Sequence, residues 1–133
     1  MELRLFRVCV GLVLLIPAIV GPVTGFLGVN ALARLLQADP PSLAPSIHNS
    51  LRAVCWMFFA IVPVTIWSIR SLERGATVFR IIIGCAFVAG FARLTGCLVD
   101  GFPGVLPVVI MSIELGVMPL LFVWHRRLLR ARA

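Results

Sequence analysis

Arg93 and Glu114 each stand inside a stretch that otherwise reads as membrane-spanning. A charge at that depth costs at least ~2.5–3.5 kcal/mol on insertion scales, so such residues are usually paired or face a cavity, and they mark ligand, ion or proton sites. Arg52 begins another apolar run just after His48 and Asn49, and Asp100 follows the run that holds Arg93. Asn49, Arg52, Arg93 and Glu114 are therefore the candidate binding residues. With His48 and Asp100 they outline a polar pocket open to the outer side of a membrane. Arg52 and Arg93 would hold an anionic group or lipid headgroup, with Glu114 as counter-ion or proton acceptor.

Other chemistry is poorly represented. The chain has no G-x-S-x-G, no H-E-x-x-H, no phosphate-binding loop and no dinucleotide fingerprint. Cys9, Cys55, Cys85 and Cys97 form neither a C-x-x-C nor a Cys/His cluster with zinc spacing. They read as small apolar side chains within helices. No metal or cofactor is called for. The net charge of +7 is carried by arginine alone. Those arginines flank apolar runs rather than forming one basic face, which argues against nucleic acid and for membrane topology, with a secondary attraction to anionic lipid headgroups. His48, beside a proline-rich connection, reads as a solvated loop histidine, and His125, among arginines, as interfacial.

The elements that must position these residues are set by hydropathy. Of 133 residues, 61% are hydrophobic and 13% charged, against roughly 45–50% and ~25% in a soluble domain. The excess falls in four runs, at residues 8–29, 51–69, 78–99 and 105–124, each near the ~20 residues that cross a bilayer. This predicts a single all-α domain over residues 1–133, an integral membrane antiparallel four-helix bundle. The first run carries Pro17 and Pro22, where a kink is expected, and Gly21-xxx-Gly25, whose small residues permit close helix approach. Arg4 and Arg7 before an apolar core suggest a rival reading as a cleaved leader. No A-x-A site follows, and the apolar stretch is long for one. Residues 31–38 are expected to form a short amphipathic helix with Leu32, Leu35 and Leu36 on one face, ended by Asp39-Pro40-Pro41. Gly75 marks one turn, and Asp100-Gly101-Phe102-Pro103-Gly104 another.

Arginine placement gives the orientation. Arg4, Arg7, Arg70, Arg74, Arg80 and the four arginines after Trp124 fall on one side of four alternating spans, and only Arg34 and Arg52 on the other. The positive-inside rule then puts both termini in the cytoplasm. Trp56, Trp67 and Trp124 near span ends fit an aromatic belt. Counting ~1.5 Å per residue, Arg93 lies ~9 Å below the end of its span and Glu114 ~14 Å below the start of the next. A five-residue turn joins the two, so the spacing predicts an Arg93–Glu114 salt bridge. Gly90, Arg93 and Cys97 share one helix face, and Met111, Glu114, Met118 and Leu121 share the face expected to meet it. The pair fixes helix register, forms a ligand site or meets another protein's helix; the sequence leaves all three open.

His48-Asn49-Ser50-Leu51-Arg52, Ile69-Arg70-Ser71-Leu72-Glu73-Arg74, Gly90-Phe91-Ala92-Arg93-Leu94, Ile113-Glu114-Leu115, Pro119 and Trp124 together resemble a bacterial family of small four-span membrane proteins, the domain-of-unknown-function 4345 family. The resemblance covers roughly residues 47–127 and is weaker over the first span. It implies a four-helix protein of the inner membrane, no established activity, and interest in Asn49, Arg52, Arg93 and Glu114. The family has an acidic residue before the Asn and a His after it. His48 and Ser50 take those places here, so no metal or acid–base role carries over to that corner.

The sequence thus predicts a small integral membrane protein of no assignable enzymatic activity, serving as an accessory, assembly or interaction component. Its expected partners are membrane lipids and either another membrane protein or further copies of itself. Small-residue faces such as Ala92-xxx-Gly96 would serve for docking. The alternative is a lipid or small-anion binding or transport protein using the pocket of Arg52, Arg93 and Glu114; an enzyme acting on a lipid is a third reading.

Overall fold

The computed structural model describes residues 1–35, 45–101 and 104–131, and all elements among them are helical. Helix α1 spans Glu2–Pro22 and continues into a π-helical turn, Val23–Leu27. Then follow α2 (Val29–Leu35), α3 (Pro45–Arg70), α4 (Ala76–Asp100) and α5 (Val105–Ser112), a second π-helical turn (Ile113–Val117), and α6 (Met118–Arg130). Four helical stretches, Glu2–Leu27, Pro45–Arg70, Ala76–Asp100 and Val105–Arg130, are long and apolar enough to cross a membrane. They are the helices of a four-helix membrane bundle. No more than 17% of any span's most apolar window is buried within the protein. The apolar side chains therefore face outward, as lipid as solvent requires.

Each helix outruns the apolar stretch that predicts it, because polar residues at a span end continue the backbone hydrogen bonding that an apolar medium demands. His48 consequently lies on α3, half-buried, rather than in a loop. Trp56 lies well inside α3, not near its end. The short helix expected after the first span exists as Val29–Leu35; its continuation over residues 36–38, with Leu36, lies outside the described residues.

The chain divides into two compact units, one of residues Met1–Val10 with Trp67–Ala133, the other of Gly11–Ile66. In the second unit the first span meets α3 through glycine. A side chain at Gly21 would reach the Phe59 Cβ at 2.7 Å and the Cys55 carbonyl at 3.0 Å, and one at Gly25 would strike the Trp56 indole at 2.6 Å. Gly28 has φ +85° and lies against the Arg52 guanidinium, 2.8 Å from where its Cβ would be. Gly21, Gly25 and Gly28 thus form a stripe at i, i+4, i+7 that receives α3 residues in reverse order. The Trp56 ring also meets Phe26 edge-on at 4.7 Å. At the site of the expected kink the helix passes into its π-helical turn immediately after Pro22, whose missing N–H leaves the ladder one donor short.

In the first unit an aromatic cluster forms the core. Phe6 meets Phe79 and Trp124 edge-on, each at 5.6 Å. His125, fully buried, packs between Phe6 and Phe79 at 6.0 and 4.6 Å. This corrects the expectation of an interfacial histidine. Arg7 donates to the carbonyl oxygens of Ile69 and Arg70 at 3.2 and 3.3 Å, satisfying the open end of α3. The chain then turns through Ser71–Gly75, where a Cβ on Gly75 would lie 2.4 Å from the Ser68 Cα.

Gly21→Leu should destabilise the protein by about 1–3 kcal/mol, because the atoms it meets are backbone or next to it, whereas Gly11→Leu, with open space around it, should not; thermal unfolding in detergent compares the two. Neither ring nitrogen of His125 has a hydrogen-bond partner among the described residues. Replacing His125 by Phe should therefore raise the unfolding temperature, recovering part of the ~1–3 kcal/mol that an unsatisfied buried polar group costs.

Candidate functional site

Gly90 is buried, and a side chain there would lie 2.9 Å from the Glu114 Cβ and 3.0 Å from the Leu115 side chain. Its bare backbone lets α4 approach the last span closely. One helical turn on, Arg93 Nε donates to Glu114 Oε2 at 2.9 Å. Another turn on, Cys97 Sγ lies 4.0 Å from Met111 Sδ. The two faces marked out by sequence meet, and the expected salt bridge is present. The partners are unequal. Glu114 keeps 9% of its side-chain surface, while Arg93 keeps 42%.

The backbone around Glu114 is not regular. Its π-helical turn, Ile113–Val117, closes with the Met118 N–H bonded to the Ile113 carbonyl, five residues back. The cause is next in the chain. Pro119 has no N–H for the Leu115 carbonyl, and its ring would crowd that oxygen in a regular α-helix. Widening the preceding turn relieves the clash and alters the side-chain directions. Such turns occur often at functional sites.

A cavity of about 180 Å³ opens beside the pair, lined by Arg93, Gly96, Cys97, Asp100, Gly101 and Pro107. Asp100 ends α4 and is exposed, and Gly101, at φ +93°, turns the chain away. Among the described residues Asp100 has no ion-pair partner, and Arg93 uses only Nε, leaving the terminal amino groups of its guanidinium without one. Arg93 thus meets Glu114 through the ion pair and shares the cavity's lining with Asp100. Asn49 and Arg52 belong to the other unit, both exposed, with Arg52 against Gly28. Among the described residues no group of three His, Cys, Asp or Glu side chains could hold a metal ion. The four cysteines are free.

Sequence reasoning named Asp100 with the pocket, and the cavity's lining includes it; it missed the burial of His125. Glu114, Met118, Leu121, His125 and Leu128 are all buried at i, i+4, i+7, i+11, i+14. Extending the face of Glu114 by one more turn would have found the histidine.

The chain belongs to the family described as Domain of unknown function (DUF4345), which matches residues 5–125. The match takes in the first span, beyond the stretch that carries the resemblance by motif. No curated protein and no solved structure matches the chain.

The ion pair is separable into its parts. Arg93→Leu alone should destabilise by roughly 1–3 kcal/mol, less than for a fully buried pair because Arg93 keeps 42% of its surface, since it strands the Glu114 carboxylate. Replacing Arg93 by Leu and Glu114 by Met together should recover most of that loss. A double-mutant cycle by thermal or chemical unfolding measures the difference.

Proposed function

We propose that this DUF4345 member is a multi-pass membrane protein that binds a small zwitterionic group, one bearing both an anionic and an ammonium end, in the cavity between Arg93 and Asp100. The carrying observation is the charge arrangement of that cavity. Glu114 already neutralises Arg93 through Nε. A plain anion at Arg93 would face two carboxylates with one cation between them. A zwitterion fits instead, its phosphate or carboxylate on the free amino groups of Arg93 and its ammonium on Asp100. The two residues lie on one face, seven apart, or ~10.5 Å along the helix. A phosphate and an amine joined by a short linker, each with its hydrogen bond, bridge such a gap. Lipid headgroups and free amino acids share this chemistry.

The topology we propose with it is an antiparallel bundle in an inner membrane with both termini cytoplasmic, supported by the arginine distribution. This places the mouth of the cavity, at the end of α4, on the outer side.

A second reading, an accessory or assembly component, is favoured by one face of α4. Gly84 has nothing within 4 Å of where a side chain would begin, and Val88 and Phe91 on the same face are 66% and 50% exposed. Small residues with neighbouring apolar ones form helix-docking surfaces in membranes.

Native mass spectrometry of the protein extracted from its own membrane in mild detergent tests both. We expect a bound species carrying an amine and an acidic group, reduced at least ten-fold in Asp100→Asn and in the Arg93→Gln, Glu114→Gln double variant, which leaves no stranded charge. A wild-type protein with a stoichiometric protein partner and no small molecule would reject the binding reading in favour of the accessory one.

A further inference from the structure

A second cavity, of about 350 Å³, lies at the far end of the last span and is lined by Val123, Arg126, Arg127 and Arg130. We infer that it is a site for the headgroup of a doubly anionic phospholipid.

Arginines at a helix C-terminus ordinarily satisfy the last carbonyls and the helix dipole. These do not: among the described residues none of the three donates to a backbone carbonyl. Arg127 Nη2 instead reaches Glu2 Oε1 at 3.4 Å, with 75% of its side chain still exposed. Arg126 is held over the Phe122 ring at 5.9 Å, a contact that orients a guanidinium without neutralising it. Arg130 has no acidic partner among the described residues. Among the described residues Glu2 balances one of the three cations lining the cavity, so two positive charges remain there. That matches a ligand with two phosphate charges.

The apolar side of the same helix points to a lipid rather than a free phosphate. Leu120, Val123, Arg127 and Arg130 follow at i, i+3, i+7 and i+10 and share one face. Leu120 and Val123 are 69% and 64% exposed. An acyl chain laid along them leads from the span's interior to the arginines, which sit where headgroups begin. A phosphate free in solution has no use for that track. The site needs neither Arg93 nor Asp100, so it stands or falls apart from the binding reading above.

The test uses the full-length protein in detergent with cardiolipin as the bis-phosphate probe, phosphatidylcholine as the neutral probe and inorganic pyrophosphate as the soluble one, read by native mass spectrometry. The expected result is one retained cardiolipin, preferred over phosphatidylcholine. Its affinity should fall about thirty-fold in the Arg126→Gln, Arg130→Gln double variant, given the worth of two arginines near anionic lipid. The charge-matched Arg34→Gln, Arg74→Gln variant, altering two exposed arginines elsewhere, should bind as wild type does. An equal loss in both double variants would reduce the effect to net charge and overturn the site. Pyrophosphate displacing cardiolipin at equal concentration would overturn the lipid assignment.

Discussion

A carboxylate enclosed between apolar helices is the constraint on which the first unit turns. Glu114 is 7% exposed, and an unpaired charge there would cost several kcal/mol. It needs a cation within bonding distance, which needs two helices closer than ordinary side chains allow. Gly90 supplies that approach, one turn from Arg93. The widened turn before Pro119 sets the direction from which Glu114 meets it. Because only Nε is used, the rest of the guanidinium remains available to the cavity. A single close contact thus links a glycine, a proline and two opposite charges to an opening lined by both signs of charge.

Glycine does similar work elsewhere, and the medium explains why. In water, helices pair by burying apolar stripes. Lipid is as apolar as leucine, so the gain must come from close van der Waals packing. Gly21, Gly25 and Gly28 let Phe59, Trp56 and Arg52 approach the first span, while Leu12, Leu15 and Ile19 of the same span stay outward. The second unit contributes contact by omission of side chains. The first adds an aromatic core around His125 at the end of its helices where charge is dense.

Much of this was legible in the sequence because it follows from long-range averages. Hydropathy located four spans, and the depth count alone paired Arg93 with Glu114. Gly21-xxx-Gly25 announced a close approach without naming its partner, since a small residue says where a helix can be met and not by what. His125 was misread because the apolar run ends at Trp124, whereas the helix carries the same buried face on to Leu128. The π-helical turns were invisible beyond the prolines beside them. Asn49 and Arg52 were grouped with Arg93 by their expected depth in the membrane; they belong to the second unit, and Arg93 and Glu114 to the first.

The two ends of the last span also differ in the sign of what they gather. Near its start a neutralised arginine and an aspartate with no ion-pair partner among the described residues leave an excess of negative charge beside the cavity. At its end three arginines meet one glutamate and leave an excess of positive charge. An arginine-rich end is what topology alone demands. Topology asks only for charge on that side, however, and is indifferent to whether the guanidinium groups converge. Here they line one cavity, with one placed over an aromatic ring and another tied to a single acid. Nor does topology ask for an aspartate at the opposite end, where a glycine turn would serve with any polar neighbour. Asp100 and the convergence of the three arginines are features that topology leaves unexplained, and each lines an opening, which is what the two proposed ligand sites account for.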